Sequence, residues 1–318
     1  MKTRESAQNE NRGSGRSEDE EKARTMALHL RPLHPLFAAE VTGIDLREPC
    51  GPELLARLWR AIDTYAVLVF PGQALDNQAQ VAFARQFGEI EIPSQKTRHR
   101  EARRRIAEME VSDISNLDAD DQVVGRDSRR RMDGLANRLW HADASFRAIP
   151  GALSMLYAHA VPARGGETEF ADLRAAWDAL PPERQAELRD LIAEHSIWYS
   201  RAQIGFTDFT EAEMAEVPPV PQRLVRTLPS GRRSLYLGAH AERIRGWPLP
   251  EGRIVLRELT EHATQRQFVY RHAWATGQLV LWDNRCTLHR ATPFDPAERR
   301  DMRRVTTRDL APTVGQAA

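Results

Sequence analysis

His141 and Asp143 are the first side chains in this sequence whose types and spacing point to chemistry. In an extended chain, residues two apart point to the same side, so an imidazole and a carboxylate can face one metal ion. The pair alone is a weak signal, and a third ligand is needed. His289, just after a predicted strand, is the best candidate, and His272 on another predicted strand is its rival. Two imidazoles and one carboxylate are typical of non-haem Fe(II) oxygenases, in which the ion keeps open positions.

Two arginines follow the proposed third ligand and could bind anions near such a metal. Arg300 and Arg304 are four residues apart, and both strand and helix spacing can place them on one side. A guanidinium binds a carboxylate through two parallel hydrogen bonds, so an inward pair predicts a site for carboxylates. However, almost all basic residues of this chain are arginine, and Arg299, Arg303 and Arg308 crowd the same stretch. Spacing alone therefore leaves an ordinary surface cluster as the alternative.

The elements that must position these residues are mostly short strands. Helices are predicted over 53–63, after Asp76, over about 172–194 and over about 249–264. The strands share a high content of apolar and β-branched residues bounded by turn residues, and they are predicted over 66–70, 153–160, 168–171, 223–228, 233–238, 267–273, 278–283 and 302–308. Pro229–Gly231 and Thr276–Gly277 are predicted to join hairpins. This pattern favours a mainly β protein with flanking helices, a double-stranded β-helix or jelly roll.

Composition excludes several classes of protein. The 45 basic and 45 acidic residues balance, which disfavours a global attraction to nucleic acid or anionic membranes. Cys50 and Cys286 are too few for a disulfide framework, and no apolar run reaches the roughly 20 residues of a membrane span. Residues 1–26 contain few large apolar side chains and are predicted to be a disordered tail before a single domain at 27–318. We therefore expect a cytoplasmic protein without membrane or nucleic-acid partners.

Taken together, the motifs resemble the taurine dioxygenase (TauD/TfdA) family of Fe(II)/2-oxoglutarate-dependent dioxygenases. The motifs that carry the resemblance are His141–Asp143, Gly165–Phe170, Trp282–Arg285 with His289, and Arg300 with Arg304. Further runs resemble the 2,4-dichlorophenoxyacetate dioxygenase branch, namely Pro32–Ala39, Glu261–His272 and Trp282–Arg290. The likeness covers residues 32 to 310, nearly all of the chain predicted to be ordered.

The resemblance implies a role for each matching residue. His141, Asp143 and His289 would bind Fe(II), and Arg300, with the hydroxyl of Thr168, would bind the distal carboxylate of 2-oxoglutarate. Arg304 would hold the anionic group of the substrate or assist the co-substrate. Asn137 falls where family members contact the substrate. The implied reaction uses O2 and 2-oxoglutarate to hydroxylate a small organic anion, preferably an aryloxyalkanoate. The resemblance also leads us to expect a homo-oligomer.

The stretch at 92–135 departs from the family pattern and is expected to be a substrate-covering insertion. Its basic residues at 96–105 and Arg129–Arg131 have no interleaved aromatic residues, which makes a nucleic-acid binder the weakest alternative. A sulfonate or alkyl-sulfate dioxygenase is a rival within the same chemistry, because Arg304 would hold either anion. A metal-free jelly-roll binding protein, with a coincidental triad, is the rival from another class.

Overall fold

A computed structural model describes residues 28–92 and 104–316 of the chain. The predicted tail at 1–26, the start of the predicted domain at residue 27 and residues 93–103 of the predicted insertion lie outside the described residues. The strands are β1 (His29–Pro32), β2 (Ala39–Thr42), β3 (Val67–Phe70), β4 (Ser112–Asp113), β5 (Gly151–Ala160), β6 (Thr168–Asp172), β7 (Ile192–His195), β8 (Val220–Arg223), β9 (Val225–Thr227), β10 (Arg233–Leu235), β11 (Ala241–Ile244), β12 (Val269–His272), β13 (Leu279–Asp283), β14 (Thr287–Ala291) and β15 (Asp301–Arg308). The helices are α1 (Pro52–Tyr65), α2 (Asn77–Arg85), α3 (Arg129–Gly134), α4 (Leu173–Asp178), α5 (Pro182–Leu188), α6 (Ile197–Ala202), α7 (Glu211–Glu216) and α8 (Leu249–Ala263).

Two sheets face each other across an apolar layer. The larger sheet has the order β1-β2-β3-β13-β5-β15-β4, and the smaller one has the order β12-β6-β14. Phe170 of β6 packs against Trp282 of β13, with ring centroids 5.5 Å apart, and both belong to the same buried cluster as Met302 of β15. The protein is thus mainly β with flanking helices, as the sequence predicts.

Helices α1 and α2 cover the other face of the larger sheet. Successive side chains of a strand point to opposite faces, so Leu68 and Phe70 of β3 pack on the helices while Val67 and Val69 face the smaller sheet. A strand that is buried on both faces has a continuous apolar sequence, which explains the run of apolar residues in β3. Asp76, after which the sequence predicts a helix, caps α2, because its carboxylate accepts a hydrogen bond from the Ala79 amide at 2.8 Å.

The helix predicted over 172–194 is wrong in its length. Helix α4 ends at Asp178, Pro181–Pro182 starts the separate helix α5, and the chain then forms strand β7. Proline lacks an amide hydrogen and clashes with the preceding helical turn, so it starts helices but does not continue them. Strand β7 is stabilised by pairing with both β8 and β11, which are distant in sequence.

One of the two predicted hairpins is confirmed and the other is wrong. Strands β9 and β10 pair in antiparallel fashion around Pro229–Gly231. Thr276–Gly277 instead connects the two sheets, because β12 pairs with β6 and β13 pairs with β3 and β5. Within the described ranges, no helix is both long and apolar enough to cross a membrane.

Candidate active site

Strand β14 and the segment before β5 bring the three predicted metal ligands together. The main chains of His141 and His289 form an antiparallel bridge, with N–H···O distances of 3.0 and 2.9 Å. All three side chains are buried, and one donor atom from each lies within 4.8 Å of the others. Nε2 of His141 is 3.9 Å from Oδ1 of Asp143, and Nε2 of His289 is 3.6 Å from Oδ2. The predicted juxtaposition is therefore present.

Polar contacts from two neighbouring strands hold Asp143 in place. Ser154 of β5 donates to Oδ2 of Asp143 at 2.8 Å, and Asn284 donates to the Ser154 hydroxyl at 2.9 Å. The side-chain oxygen of Asn284 in turn accepts from the Asp143 amide at 3.0 Å and from the Trp282 indole at 2.9 Å. Arg304 donates to Oδ1 of Asp143. Such outer partners fix the orientation of a metal ligand.

The environment favours the protonation states that metal binding requires. Burial lowers the pKa of His141 and lowers that of His289 well below its usual value, although Asp143 opposes both shifts. Burial alone would raise the pKa of Asp143, but Arg304 and the two histidines outweigh it and hold that pKa below its usual value. Nδ1 of His141 lies 2.8 Å from the Leu139 carbonyl, a contact that leaves Nε2 free to be a ligand. Two neutral imidazoles and a carboxylate fit a divalent transition metal.

Arg300 is a buried cation with no acidic partner among the described residues. Burial lowers the pKa of Arg300 to about 10, so the guanidinium is still charged at neutral pH. It donates to the carbonyl of Ile114 at 3.0 Å and lies 5.7 Å from the centre of the Phe294 ring. A buried charge without a counter-ion is costly, so this side chain is suited to an anionic ligand.

Thr168 is buried at the start of β6, and its hydroxyl oxygen accepts a hydrogen bond from the Trp274 indole at 3.0 Å. Because the indole can only donate, the hydroxyl hydrogen of Thr168 remains available to an acceptor in the cavity. Arg300 and Thr168 both line this cavity. The predicted pair of anion-binding groups thus shares one cavity with the triad.

The cavity has a volume of about 560 Å³ and also contains Arg304 and Asn137 in its wall. Its apolar lining residues include Ile106, Leu135, Phe146, Ile197, Trp198 and Phe209. Its cationic lining residues include Arg104, Arg105, Arg130, Arg131, Arg138 and Arg201. This combination suits a small molecule with an aromatic or apolar body and an anionic group.

His240 also lines the cavity, although it is not among the site residues predicted from the sequence. It is 3% exposed, its Nδ1 atom has no partner among the described residues, and its ring centroid is 6.1 Å from that of His141. Burial, more than its charged neighbours, lowers its pKa well below the usual value, so it is neutral and can accept or donate a hydrogen bond. The segment around it has no motif that would have identified it.

Comparison with known proteins assigns the family. The sequence model of the family "Taurine catabolism dioxygenase TauD, TfdA family" matches residues 29–306. The chain belongs to this family. It is 50% identical over 287 residues to the alpha-ketoglutarate-dependent 2,4-dichlorophenoxyacetate dioxygenase of Cupriavidus pinatubonensis, covering 90% of this chain and 99% of that protein. It is 37% identical to the (S)-phenoxypropionate/alpha-ketoglutarate-dioxygenase of Sphingobium herbicidovorans, covering 87% and 93% of the two chains.

A solved structure of AAD-2 in complex with Mn(II) and N-oxalylglycine is similar to this TauD/TfdA-family chain, with a TM-score of 0.84, 46% identity and coverage of 92% of this chain and 100% of that one. A taurine dioxygenase structure from Burkholderia xenovorans gives a TM-score of 0.72 at 28% identity and covers 90% and 91% of the two chains. The family and the jelly-roll fold predicted from the sequence are both confirmed.

The structure also places the rival residues of this TauD/TfdA-family protein. His272 is buried on β12 near the Tyr270 hydroxyl, 3.2 Å away, and does not join the triad. Burial raises the pKa of the Cys286 thiol well above its usual value, which disfavours a thiolate nucleophile. In the arginine run, Arg129 and Arg130 form ion pairs with acidic side chains of this chain. They are therefore partly neutralised within the protein, which disfavours the nucleic-acid interpretation.

Proposed function

We propose that this protein is an Fe(II)/2-oxoglutarate-dependent dioxygenase that hydroxylates aryloxyalkanoates such as 2,4-dichlorophenoxyacetate. The observation that carries the proposal is a buried His141–Asp143–His289 cluster in the same cavity as Arg300, a buried cation without an acidic partner among the described residues. The relatives named for 2,4-dichlorophenoxyacetate and (S)-phenoxypropionate support the substrate class.

The residues of the cavity indicate which cofactor and which co-substrate it would bind. His141, Asp143 and His289 would hold the iron, and Arg300 with Thr168 would hold the distal carboxylate of 2-oxoglutarate. N-oxalylglycine, which is bound in AAD-2, has two terminal carboxylates and a carbonyl oxygen beside one of them, as 2-oxoglutarate does, although its carbonyl is an amide and not a ketone. When bound, the iron supplies the activation of O2 that no side chain of the protein can provide.

For an aryloxyacetate, the proposed reaction places a hydroxyl group on the carbon between the ether oxygen and the carboxylate. The product is a hemiacetal that collapses to a phenol and glyoxylate, while 2-oxoglutarate and O2 yield succinate and CO2. Arg304 and Asn137 line the cavity and would hold the substrate anion, and His240 is placed to assist them. Phe146 and Trp198 offer an apolar surface for the ring. The insertion at 92–135 would cover the bound substrate and exclude water.

A sulfonate or alkyl-sulfate dioxygenase is the second candidate. A relative named alpha-ketoglutarate-dependent sulfate ester dioxygenase from Pseudomonas putida is 30% identical over 293 residues. The lower identity and the aromatic lining of the cavity both favour the aryloxyalkanoate.

The test is succinate formation by the Fe(II)-loaded protein in air, with 2,4-dichlorophenoxyacetate, taurine or an alkyl sulfate added in parallel. We expect the phenoxyacetate to stimulate succinate release, with an equal amount of phenol, and His141→Ala to abolish both products. Stimulation by taurine or the alkyl sulfate, with sulfite or sulfate release, would replace the substrate assignment. Absence of succinate from all mixtures would refute the dioxygenase assignment.

We further propose that the protein acts in the cytoplasm as a homo-oligomer, without membrane or nucleic-acid partners. The cytoplasmic assignment rests on two free cysteines, Cys50 and Cys286, which suit a reducing compartment. Sedimentation analysis of the purified protein tests the oligomer.

A further inference from the structure

The anion-binding arginine of the cavity is oriented by the insertion rather than by an acidic side chain. Ile114 accepts a hydrogen bond from the Arg300 guanidinium at 3.0 Å. The main chain of Arg300 is held by Asn116, whose side chain accepts from the Arg300 amide at 2.8 Å and whose amide donates to the Arg300 carbonyl at 3.2 Å. Ile114 and Asn116 are two residues apart in the chain. The position of the guanidinium therefore depends on where segment 112–116 sits.

Strand pairing alone secures this segment weakly. Strand β4 comprises two residues and pairs with β15 through Arg303↔Asp113 and Arg304↔Ser112. Two residue pairs at the edge of a sheet provide little stabilisation. The Ile114 amide adds one hydrogen bond to the Met302 carbonyl of β15, at 2.9 Å. A contact between side chains of the two strands would hold Ile114 against Arg300 more firmly.

Arg105 provides that contact by binding one carboxylate on each strand. Its Nε and Nη2 atoms donate to Asp113 of β4, both at 2.9 Å. Its Nη2 and Nη1 atoms donate to Asp301 of β15 at 2.6 and 2.9 Å, and Nη1 also donates to Asp121 at 3.1 Å. The Arg105 side chain is 7% exposed and that of Asp301 is 5% exposed. A planar guanidinium can make this double bidentate contact, whereas an ammonium group cannot.

The two clamped carboxylates flank the interaction that matters for the cavity. Asp113 directly precedes Ile114, and Asp301 directly follows Arg300. Asp113 also pairs with Arg130 at 2.8 Å, and Asp301 lies 3.5 Å from Arg303 and 3.7 Å from Arg299. Among the described residues, however, Arg105 alone contacts both carboxylates, so its loss would remove this link and let β4 shift relative to β15. The displacement would move the Ile114 carbonyl away from the Arg300 guanidinium.

We propose that Arg105 is a positioning residue for co-substrate binding: it locks β4 against β15, so that Arg300 faces the distal carboxylate of 2-oxoglutarate. The inference rests on the proposed function, because it assigns 2-oxoglutarate to Arg300. It also makes co-substrate affinity depend on the insertion that is proposed to cover the substrate.

The test compares ligand binding by the Mn(II)-loaded protein and its variants in isothermal titration calorimetry. We expect Arg105→Met to raise the Kd of 2-oxoglutarate by about tenfold. The reason is that the charge-assisted hydrogen bonds between Arg300 and the distal carboxylate become weaker when the guanidinium is no longer held in position. The Kd of Mn(II) should change less than about twofold, because the triad is held by other residues. In steady-state assays the KM for 2-oxoglutarate should rise while kcat stays within about twofold. Arg105→Lys should give an intermediate Kd, since it keeps the charge without the bidentate geometry.

Arg299→Met is the matched control, because Arg299 pairs with Asp121 of the same network at 2.7 Å but has a 44% exposed side chain. Its Kd for 2-oxoglutarate should equal that of the unaltered protein. If Arg105→Met does not fold, Asp113→Asn must raise the same Kd, because a neutral amide with one acceptor oxygen weakens the link between Arg105 and β4. An unchanged Kd in a folded Arg105→Met or Asp113→Asn variant would refute the role of Arg105. A failure of the unaltered protein to bind 2-oxoglutarate would instead refute the proposed function.

Discussion

Ser154 carries the first prediction at the scale of single residues. Its hydroxyl donates to Oδ2 of Asp143 at 2.8 Å and is held in turn by Asn284. Replacing Ser154 with alanine removes the contact that orients the carboxylate, so we expect the affinity for Mn(II) or Fe(II) to fall by about 10-fold or more. Isothermal titration calorimetry with the metal ion measures this change in affinity. Ser234→Ala is the control, because Ser234 is equally buried and donates to a main-chain carbonyl away from the site; equal losses in both variants would contradict the prediction.

Trp274 carries the second prediction, which concerns the hydroxyl of Thr168. The indole donates to Oγ1 of Thr168 at 3.0 Å and so directs the hydroxyl hydrogen elsewhere. Trp274→Phe keeps an aromatic ring but removes this donor, leaving the hydroxyl free to turn away from the co-substrate. We expect the Kd of 2-oxoglutarate to rise by about three- to tenfold, the value of one hydrogen bond, with the metal affinity unchanged. Thr168→Val should give a similar increase in Kd; an increase with Thr168→Val but none with Trp274→Phe would show that the indole does not orient the hydroxyl.

The metal ligands and the anion-binding arginine can be predicted from residue types and motifs in the sequence. The side chains that surround them and hold them in place cannot. His141, Asp143 and His289 combine two ligand types with a spacing that is visible in the sequence. Arg300 also matches a family motif. Ser154 and His240 have no such signal, because a buried serine or histidine has the same sequence context whether or not it faces a metal. Only the pairing of β5 with β13 and the path of the chain before β11 bring these two side chains to the site.

At the scale of elements, prediction succeeded where the information was local. Helix α2 has its Asp76 cap, and β3 has its apolar run, so both were identified from a few adjacent residues. The helix predicted over 172–194 is wrong in its length because Pro181–Pro182 cannot continue a helix and instead begins a new one. Strand β7 is stabilised by partners that lie more than 20 residues away. The Thr276–Gly277 turn has hairpin chemistry, but sheet topology gives its two strands different partners.

Gly165 carries the prediction at the element scale. It has φ +75°, and a Cβ atom there would lie 2.4 Å from the carbonyl oxygen of Pro293. Gly231 has a similar φ of +83° but open space around the same position, so Gly231→Ala isolates the cost of the backbone conformation. We expect Gly231→Ala to lower the free energy of unfolding by about 1 kcal/mol. Gly165→Ala should lower it by about 2 to 4 kcal/mol, because main-chain atoms must also move. Urea unfolding of both variants measures the difference, and equal losses would show that the turn accommodates the methyl group.

At the scale of the whole molecule, burial on both faces of the larger sheet determines what the sequence reveals. Helices α1 and α2 cover one face and the smaller sheet covers the other, so the central strands are recognisable as apolar runs. Outside the larger sheet, the fold also buries His195 on β7 and His272 on β12, neither of which belongs to the triad. His195 and His272 each keep an Nε2 atom without a partner among the described residues. Such groups make the stability of the fold depend on pH.

Burial lowers the pKa of His195 to about 3 and that of His272 to about 4, whereas an unfolded histidine titrates near 6.5. Well above pH 6.5 neither state binds the proton, so these residues leave the free energy of unfolding independent of pH there. As the pH falls below 6.5, the unfolded state gains protons that the folded state does not, and the free energy of unfolding decreases by up to about 1.4 kcal/mol per pH unit for each residue. Urea unfolding at pH 7.5, 6.5, 5.5 and 5.0 should therefore show that the free energy of unfolding falls as the pH is lowered. This decrease should be smaller in His272→Gln than in the unaltered protein. His29→Gln, at an exposed position, should retain the full slope. If the free energy of unfolding falls equally with pH in His272→Gln and in the unaltered protein, buried His272 does not contribute to the pH dependence of stability.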